Sequence, residues 1–207
     1  MTEPSHGQPE PLDALERQAR SHYAAGRYQA AIELFDEVVT RLDVDLDPVH
    51  PRVLAIRNDL ARACRYAGRF DRALSLYRQI LNLLLVRSGP DHPDSLRFRS
   101  RIANTYYASG RYPEAIWLFQ DILTKRAAAL GLDHPDTLRS RSSLANSYYA
   151  VGSYQRAIDL HEETLAARNR VLGSSHERTV ASQTRLAEAR QAAMAEPRAL
   201  RSALRRA

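Results

Sequence analysis

Among its 207 residues the chain has one cysteine, Cys64, one lysine, Lys125, and one tryptophan, Trp117. A single thiol excludes an internal disulfide and any thiolate metal cluster. No stretch approaches the ~20 apolar residues needed to cross a bilayer. The longest apolar run, Ile80 to Val86, is broken by Asn82. The opening residues MTEPSHGQPEP lack the basic region and apolar segment of a signal peptide. A cytoplasmic chain with no membrane partner is therefore expected. Also missing are the GxGxxG, P-loop, GxSxG, HExxH and EF-hand patterns. No catalytic set, metal site or cofactor is expected, and the chain reads as non-enzymatic.

What is abundant is arginine, 29 of the 30 basic residues, against 24 acidic ones, for a net charge of +6. A genome rich in G and C accounts for much of this bias. Its physical content is that guanidinium forks suit planar carboxylates and phosphates. After Pro197 the segment RALRSALRRA sets Leu200 and Leu204 beside four arginines. This basic tail, residues 196–207, reads as a solvated helical end, with contact to an anionic surface as the rival reading. Residues 1–10 are expected to be disordered.

An internal period changes the meaning of every motif inside it. Gly26, Gly68, Gly110 and Gly152 are each 42 residues apart, as are Ala31, Ala73, Ala115 and Ala157, and His50, His92, His134 and His176. Within one unit, Leu138, Leu144, Ala145 and Tyr148 recur at helical spacing before Gly152, and Ala157, Ile158, Leu160 and Leu165 do so after it. That is helix, turn, helix, with glycine supplying the left-handed residue that stops the first helix. Gly131, Gly173 and Gly89 end second helices in the same way. Ala145 and Ala157 fall on opposite helices, where small side chains permit close backbone approach.

The set Leu144, Ala145, Tyr148, Gly152, Tyr154, Ala157 returns as Ile102, Ala103, Tyr106, Gly110, Tyr112, Ala115 and as Leu60, Ala61, Cys64, Gly68, Phe70, Ala73. The first unit keeps Ala19, Gly26, Tyr28, Ala31 and Phe35. This pattern resembles the tetratricopeptide repeat in its 42-residue form, found in kinesin light chains and in many bacterial signalling proteins; with the arginine bias, a bacterial source is expected. The resemblance implies an all-α, right-handed superhelical solenoid of helix-turn-helix repeats, four units plus a C-terminal capping helix. The expected units are about 11–50, 51–92, 93–134 and 135–176, with the capping helix at 177–195, all within one solenoid at 11–195.

The tetrapeptide DHPD, at 91–94 and 133–136, sets a histidine between two carboxylates. Its 42-residue spacing argues against catalysis, because equivalents one repeat apart cannot share a metal. His-Pro-Asp is also a signature of J-domain co-chaperones, but nothing else in the chain resembles that domain. Proline fits the first turn of a helix, the preceding residue is held out of helical geometry, and Asp91 or His92 can cap the exposed N–H groups. The motif therefore reads as punctuation between repeats. Cys64 reads as a small buried hydrophobe. Glu162 and Glu163 read as a solvated helix face, and Asp43, Asp45 and Asp47 as an inter-repeat loop.

On the first helices of the third and fourth units, Arg97, Ser100, Asn104, Tyr107 and Arg139, Ser142, Asn146, Tyr149 form one polar stripe at i, i+3, i+7, i+10. The same offsets give Ala55, Asn58, Arg62, Arg65 and Asp13, Glu16, Arg20, Tyr23 in the earlier units. First helices line the concave face in the family this chain resembles, and that face commonly binds peptides. The expected peptide-binding residues are thus Arg20, Tyr23, Asn58, Arg62, Arg65, Arg97, Ser100, Asn104, Tyr107, Arg139, Ser142, Asn146 and Tyr149. Amide side chains would bond a peptide backbone and arginines its carboxylates. The resemblance also places asparagines where some members clamp a C-terminal carboxylate, although the lysines of that clamp are absent. The leading expectation is an interaction scaffold for an extended acidic or C-terminal segment of a protein partner. The alternative is a regulator touching nucleic acid through its basic tail. An exposed solenoid end also offers a route to self-association.

Overall fold

The computed structural model describes residues 11–204, with side chains through residue 195. Residues 1–10 and the side chains of the basic tail, about which the sequence raised expectations, lie outside the described residues. Among the described residues there are nine helices and no strand: α1 (Leu12–Ala24), α2 (Tyr28–Asp45), α3 (Pro51–Tyr66), α4 (Phe70–Ser88), α5 (Pro93–Ala108), α6 (Tyr112–Leu130), α7 (Pro135–Ala150), α8 (Tyr154–Leu172) and α9 (Glu177–Leu204). Two compact units divide the chain, one ending at Pro90 and one starting at Asp91. In the first, α1 to α4 pack in consecutive pairs; in the second, α5 to α9 do so, and α5 also touches α7.

The turn inside each hairpin is the same object four times. In the last, Gly152 has φ +78, its N–H donates to the Tyr149 carbonyl at 3.0 Å, and Ser153 N–H donates to the Tyr148 carbonyl at 2.9 Å. This pair of bonds is the Schellman arrangement, which satisfies carbonyls that the ending helix orphans. The alanines expected to allow close packing, Ala145 and Ala157, have no exposed surface.

Histidine caps the start of each new repeat. Nδ1 of His92 accepts from Asp94 N–H at 3.2 Å, and Nδ1 of His134 accepts from Asp136 N–H at 3.1 Å. His50 and His176 cap Arg52 and Arg178 in the same way. Helix α2 runs through Asp45, so Asp43 and Asp45 are helical; Asp47 lies in the connection, where its Oδ1 accepts from Val49 N–H at 2.8 Å.

Two repeat positions change chemistry along the chain. One carries Leu42, Leu84, Arg126 and Arg168; the other, fourteen residues later, carries Ile56, Phe98, Ser140 and Ser182. The four apolar residues are buried. In the later repeats an arginine meets a serine: Arg126 Nη1 donates to Ser140 Oγ at 2.7 Å and to the Asp136 carbonyl at 3.3 Å. Arg168 Nη1 repeats this with Ser182 Oγ at 2.5 Å and the Arg178 carbonyl at 3.0 Å. Burial lowers the pKa of both guanidiniums. A buried charge held by neutral acceptors stabilises less than an apolar pair of matching shape. We therefore expect Arg126→Leu with Ser140→Phe, which rebuilds the apolar residue types of the earlier repeats, to leave the urea midpoint equal to or above that of the parent. Ser140→Ala alone removes an acceptor from the guanidinium and should cost roughly 1–3 kcal/mol in the same measurement.

A third repeat position holds Phe35, Tyr77, Phe119 and His161, all buried. His161 Nδ1 has no hydrogen-bond partner among the described residues. Burial, and then the nearby Arg185 and Arg168, push its pKa down to about 4, against a smaller opposing pull from Glu188. Between about 4 and 6.5 the unfolded chain binds a proton at this site that the folded chain refuses. Stability from this site is therefore full above pH 6.5 and lost as pH falls through 4, by roughly 3 kcal/mol in total. His161→Phe restores the aromatic of the other repeats. It should flatten the stability profile from pH 7 to 4 in urea titrations, and an unchanged slope would assign the acid sensitivity to other groups.

Candidate functional site

Ionic partners distinguish the polar stripes of the two units. In the first, the stripe is tied across neighbouring helices. Arg52 on α3 donates through Nε to Glu16 Oε1 on α1 at 2.7 Å and also pairs with Asp13. The Glu16 hydrogen bond raises the Arg52 pKa. Arg20 Nε donates to Asp59 Oδ2 at 3.2 Å, and Arg62 reaches Asp59 at 3.5 Å. Arg62 also lies 4.9 Å from the Tyr23 ring centre, and Arg65 lies 4.2 Å from that of Tyr66. Tyr23, Tyr28 and Tyr66 form a cluster of rings with centres 5.4 to 5.8 Å apart, and burial raises the Tyr23 pKa. Arg20, Tyr23, Arg62 and Arg65 thus all have partners inside their own unit. Asn58 is half-buried, with no partner for its Oδ1 among the described residues.

In the second unit a cavity of about 450 Å³ opens between α5 and α7, with α6 contributing Phe119 and Arg126. Arg97, Ser100 and Asn104 line it from α5, and Arg139 from α7. The guanidinium of Arg97 pairs with Asp94 at 2.9 Å, and that of Arg139 pairs with Asp136. Both pairs are i,i+3 contacts within one helix, with the arginines exposed and the aspartates half-buried. Ser100 Oγ donates to the Leu96 carbonyl and Asn104 Nδ2 to the Ser100 carbonyl, each at 2.8 Å. Ser142, Asn146, Tyr107 and Tyr149 are not among the lining residues. Tyr107 and Tyr149 instead lie edge-on to Tyr112 and Tyr154 across the hairpin turns, with ring centres 5.4 and 5.5 Å apart.

Four charged lining residues escaped the stripe read from sequence: Asp94, Asp136, Arg101 and Arg126. Arg101 sits one residue off the chosen spacing. In the sequence the aspartates read only as part of the DHPD punctuation between repeats. Arg126 belongs to a second helix, and its signal is the break in the repeat, where arginine replaces Leu42 and Leu84. Among the described residues no group of acids, histidines or cysteines is placed to hold a metal ion. No described helix is long and apolar enough to cross a membrane. Burial raises the Cys64 thiol pKa, which leaves it a poor nucleophile.

The sequence profile of the tetratricopeptide repeat matches residues 11–85 and 94–170, and a second profile of the same repeat matches 58–129. No curated protein matches the chain. Among solved structures, nearly identical TPR-like repeats attributed to a kinesin light chain of Podosopora anserina are 32% identical, covering 94% of this chain and 92% of that one, with a TM-score of 0.74. BtubC (BKLC) from P. vanneervenii is 18% identical, with coverage of 88% and 72% and a TM-score of 0.71. A Rap protein complexed with competence and sporulation factor is 12% identical, with coverage of 93% and 54% and a TM-score of 0.64. At those last two identities the likeness is one of fold. The chain belongs to the tetratricopeptide repeat family, an all-α helical-repeat solenoid whose members serve as scaffolds for protein–protein interaction.

Proposed function

We propose that this chain is a non-enzymatic interaction module that holds an extended acidic or C-terminal segment of a protein partner along the polar stripe of its first helices. The observation that carries this reading is the difference between its two stripes. Arg20 and Arg52 reach carboxylates on a neighbouring helix. Among the described residues Arg97 and Arg139, both exposed, pair only within their own helices, to half-buried aspartates three residues earlier. Exposed pairs of this kind are worth little and exchange readily for a ligand carboxylate. Asn104 and Ser100 stand beside Arg97, so amide and hydroxyl groups are available to a peptide backbone. Ser142, Asn146, Tyr107 and Tyr149 extend the same stripe outside the cavity, while Arg20, Tyr23, Asn58, Arg62 and Arg65 would serve only where a ligand displaces their present partners. The fold-level likeness to a Rap protein complexed with competence and sporulation factor is in keeping with a protein or peptide partner.

The test is a fluorescence titration with acidic peptides of about ten residues, each made with a free and an amidated C-terminus. Charge reversal at both Arg97→Glu and Arg139→Glu should weaken the best binder at least tenfold while far-UV helicity is unchanged. Equal binding by parent and variant rejects the groove. A loss on amidation alone identifies the C-terminal carboxylate as the anchoring group.

A further inference from the structure

We propose that the cavity between α5 and α7 receives a phosphomonoester dianion, carried by a phosphorylated side chain of the bound segment; this rests on the groove reading above and names its chemistry. Charge is the first argument. The cavity is lined by Arg97, Arg101, Arg126 and Arg139 against Asp94 and Asp136, a formal balance of four cations to two anions. A lining this rich in arginine suits a phosphomonoester, which carries about −1.5 to −2 at neutral pH and three acceptor oxygens, better than a single carboxylate.

The second argument is Arg126. Its side chain is 5% exposed, lines the cavity, and forms no ion pair among the described residues. Its Nη1 is held by a serine hydroxyl and a backbone carbonyl, which fix the fork without neutralising it. Burial lowers its pKa and Arg139 adds to the effect, while the pull of Asp136 opposes it without overcoming it, so the charged form is only partly compensated in the free protein. An anion in the cavity supplies that compensation in a partly desolvated place, where charge-assisted hydrogen bonds are strongest. The exposed pairs at the edge hold the forks of Arg97 and Arg139 toward the same opening. Arginine is the residue suited to planar, bidentate recognition of phosphate oxygens. A volume of about 450 Å³ admits the phosphate together with the side chain that carries it.

The experiment uses the full chain at pH 7.5 and constant ionic strength, with inorganic phosphate, O-phosphoserine and acetate titrated calorimetrically. Both phosphates should bind at least tenfold more tightly than acetate, and O-phosphoserine should weaken as pH falls through about 6, where its second proton returns. The Arg126→Leu with Ser140→Phe variant should lose this binding at least tenfold, with its urea midpoint preserved; Arg126→Lys should recover only part of it. Equal binding of acetate and phosphate, no binding of either phosphate, or full binding by the double variant overturns the site. A serine-containing peptide and its phosphorylated form separate the two readings. Peptides bound through Arg97 and Arg139 without regard to phosphorylation leave the groove standing and reject the phosphate. O-phosphoserine bound where no phosphopeptide is held rejects the groove and, with it, a phosphate carried by a bound segment.

Discussion

The close approach of two helices at each hairpin is the constraint on which the rest of this structure depends. Alanine stands on both sides, with Ala19, Ala61, Ala103 and Ala145 on the first helices and Ala31, Ala73, Ala115 and Ala157 on the second, all without exposed surface. A larger side chain at any of these positions would have to push the pair apart, and cores repack poorly around added volume. The left-handed glycine after each first helix then folds the chain back at a fixed point. A hairpin so defined still shows one apolar flank, which its neighbour in the array covers. Every polar stripe discussed above inherits its direction from that hairpin.

Because the hairpins repeat, departures from the repeat are where individual chemistry enters. The aromatic position is filled by Phe35, Tyr77 and Phe119 and then by His161, which brings an unsatisfied nitrogen into the core. The position of Leu42 and Leu84 becomes Arg126 and Arg168, each bonded to a serine where the earlier repeats have Ile56 and Phe98. That two positions fourteen residues apart change together is what a direct contact demands. An arginine facing phenylalanine would leave buried donors unpaired, and a serine facing leucine would leave a void.

Much of this was legible in the sequence because the determinants are local. Glycine stops, the histidine that caps two residues ahead, and proline at the first helical position all act within one turn of the chain, and a gapless period repeats the glycine and the histidine four times and the proline three times. Stripe membership was also local, since Arg97, Ser100 and Asn104 share a face by spacing alone, and all three line the cavity with Arg139. What did not show was which arginines are already engaged. The Arg52 to Glu16 and Arg20 to Asp59 contacts join residues 36 and 39 apart, a distance that no helical periodicity addresses. Arg126 was hidden for the same reason, because its place in the cavity depends on how a second helix packs on the next first helix.

The DHPD tetrapeptide links these levels. Its histidine caps the helix, its proline starts it, and its second aspartate, Asp94 or Asp136, pairs with the arginine three residues on. A carboxylate in this place steadies a guanidinium at the edge of the cavity while remaining exposed enough to yield it. The pair is weak in water, so it holds the fork in position at little energetic cost to a competing anion. Deeper in, the Arg126 fork is hydrogen-bonded by a serine hydroxyl and a backbone carbonyl, neither of which carries a charge. The gradient from ion-paired arginines outside to one hydrogen-bonded by neutral groups inside favours a ligand that carries its own negative charge to the bottom, and it disfavours a neutral peptide lying across the opening.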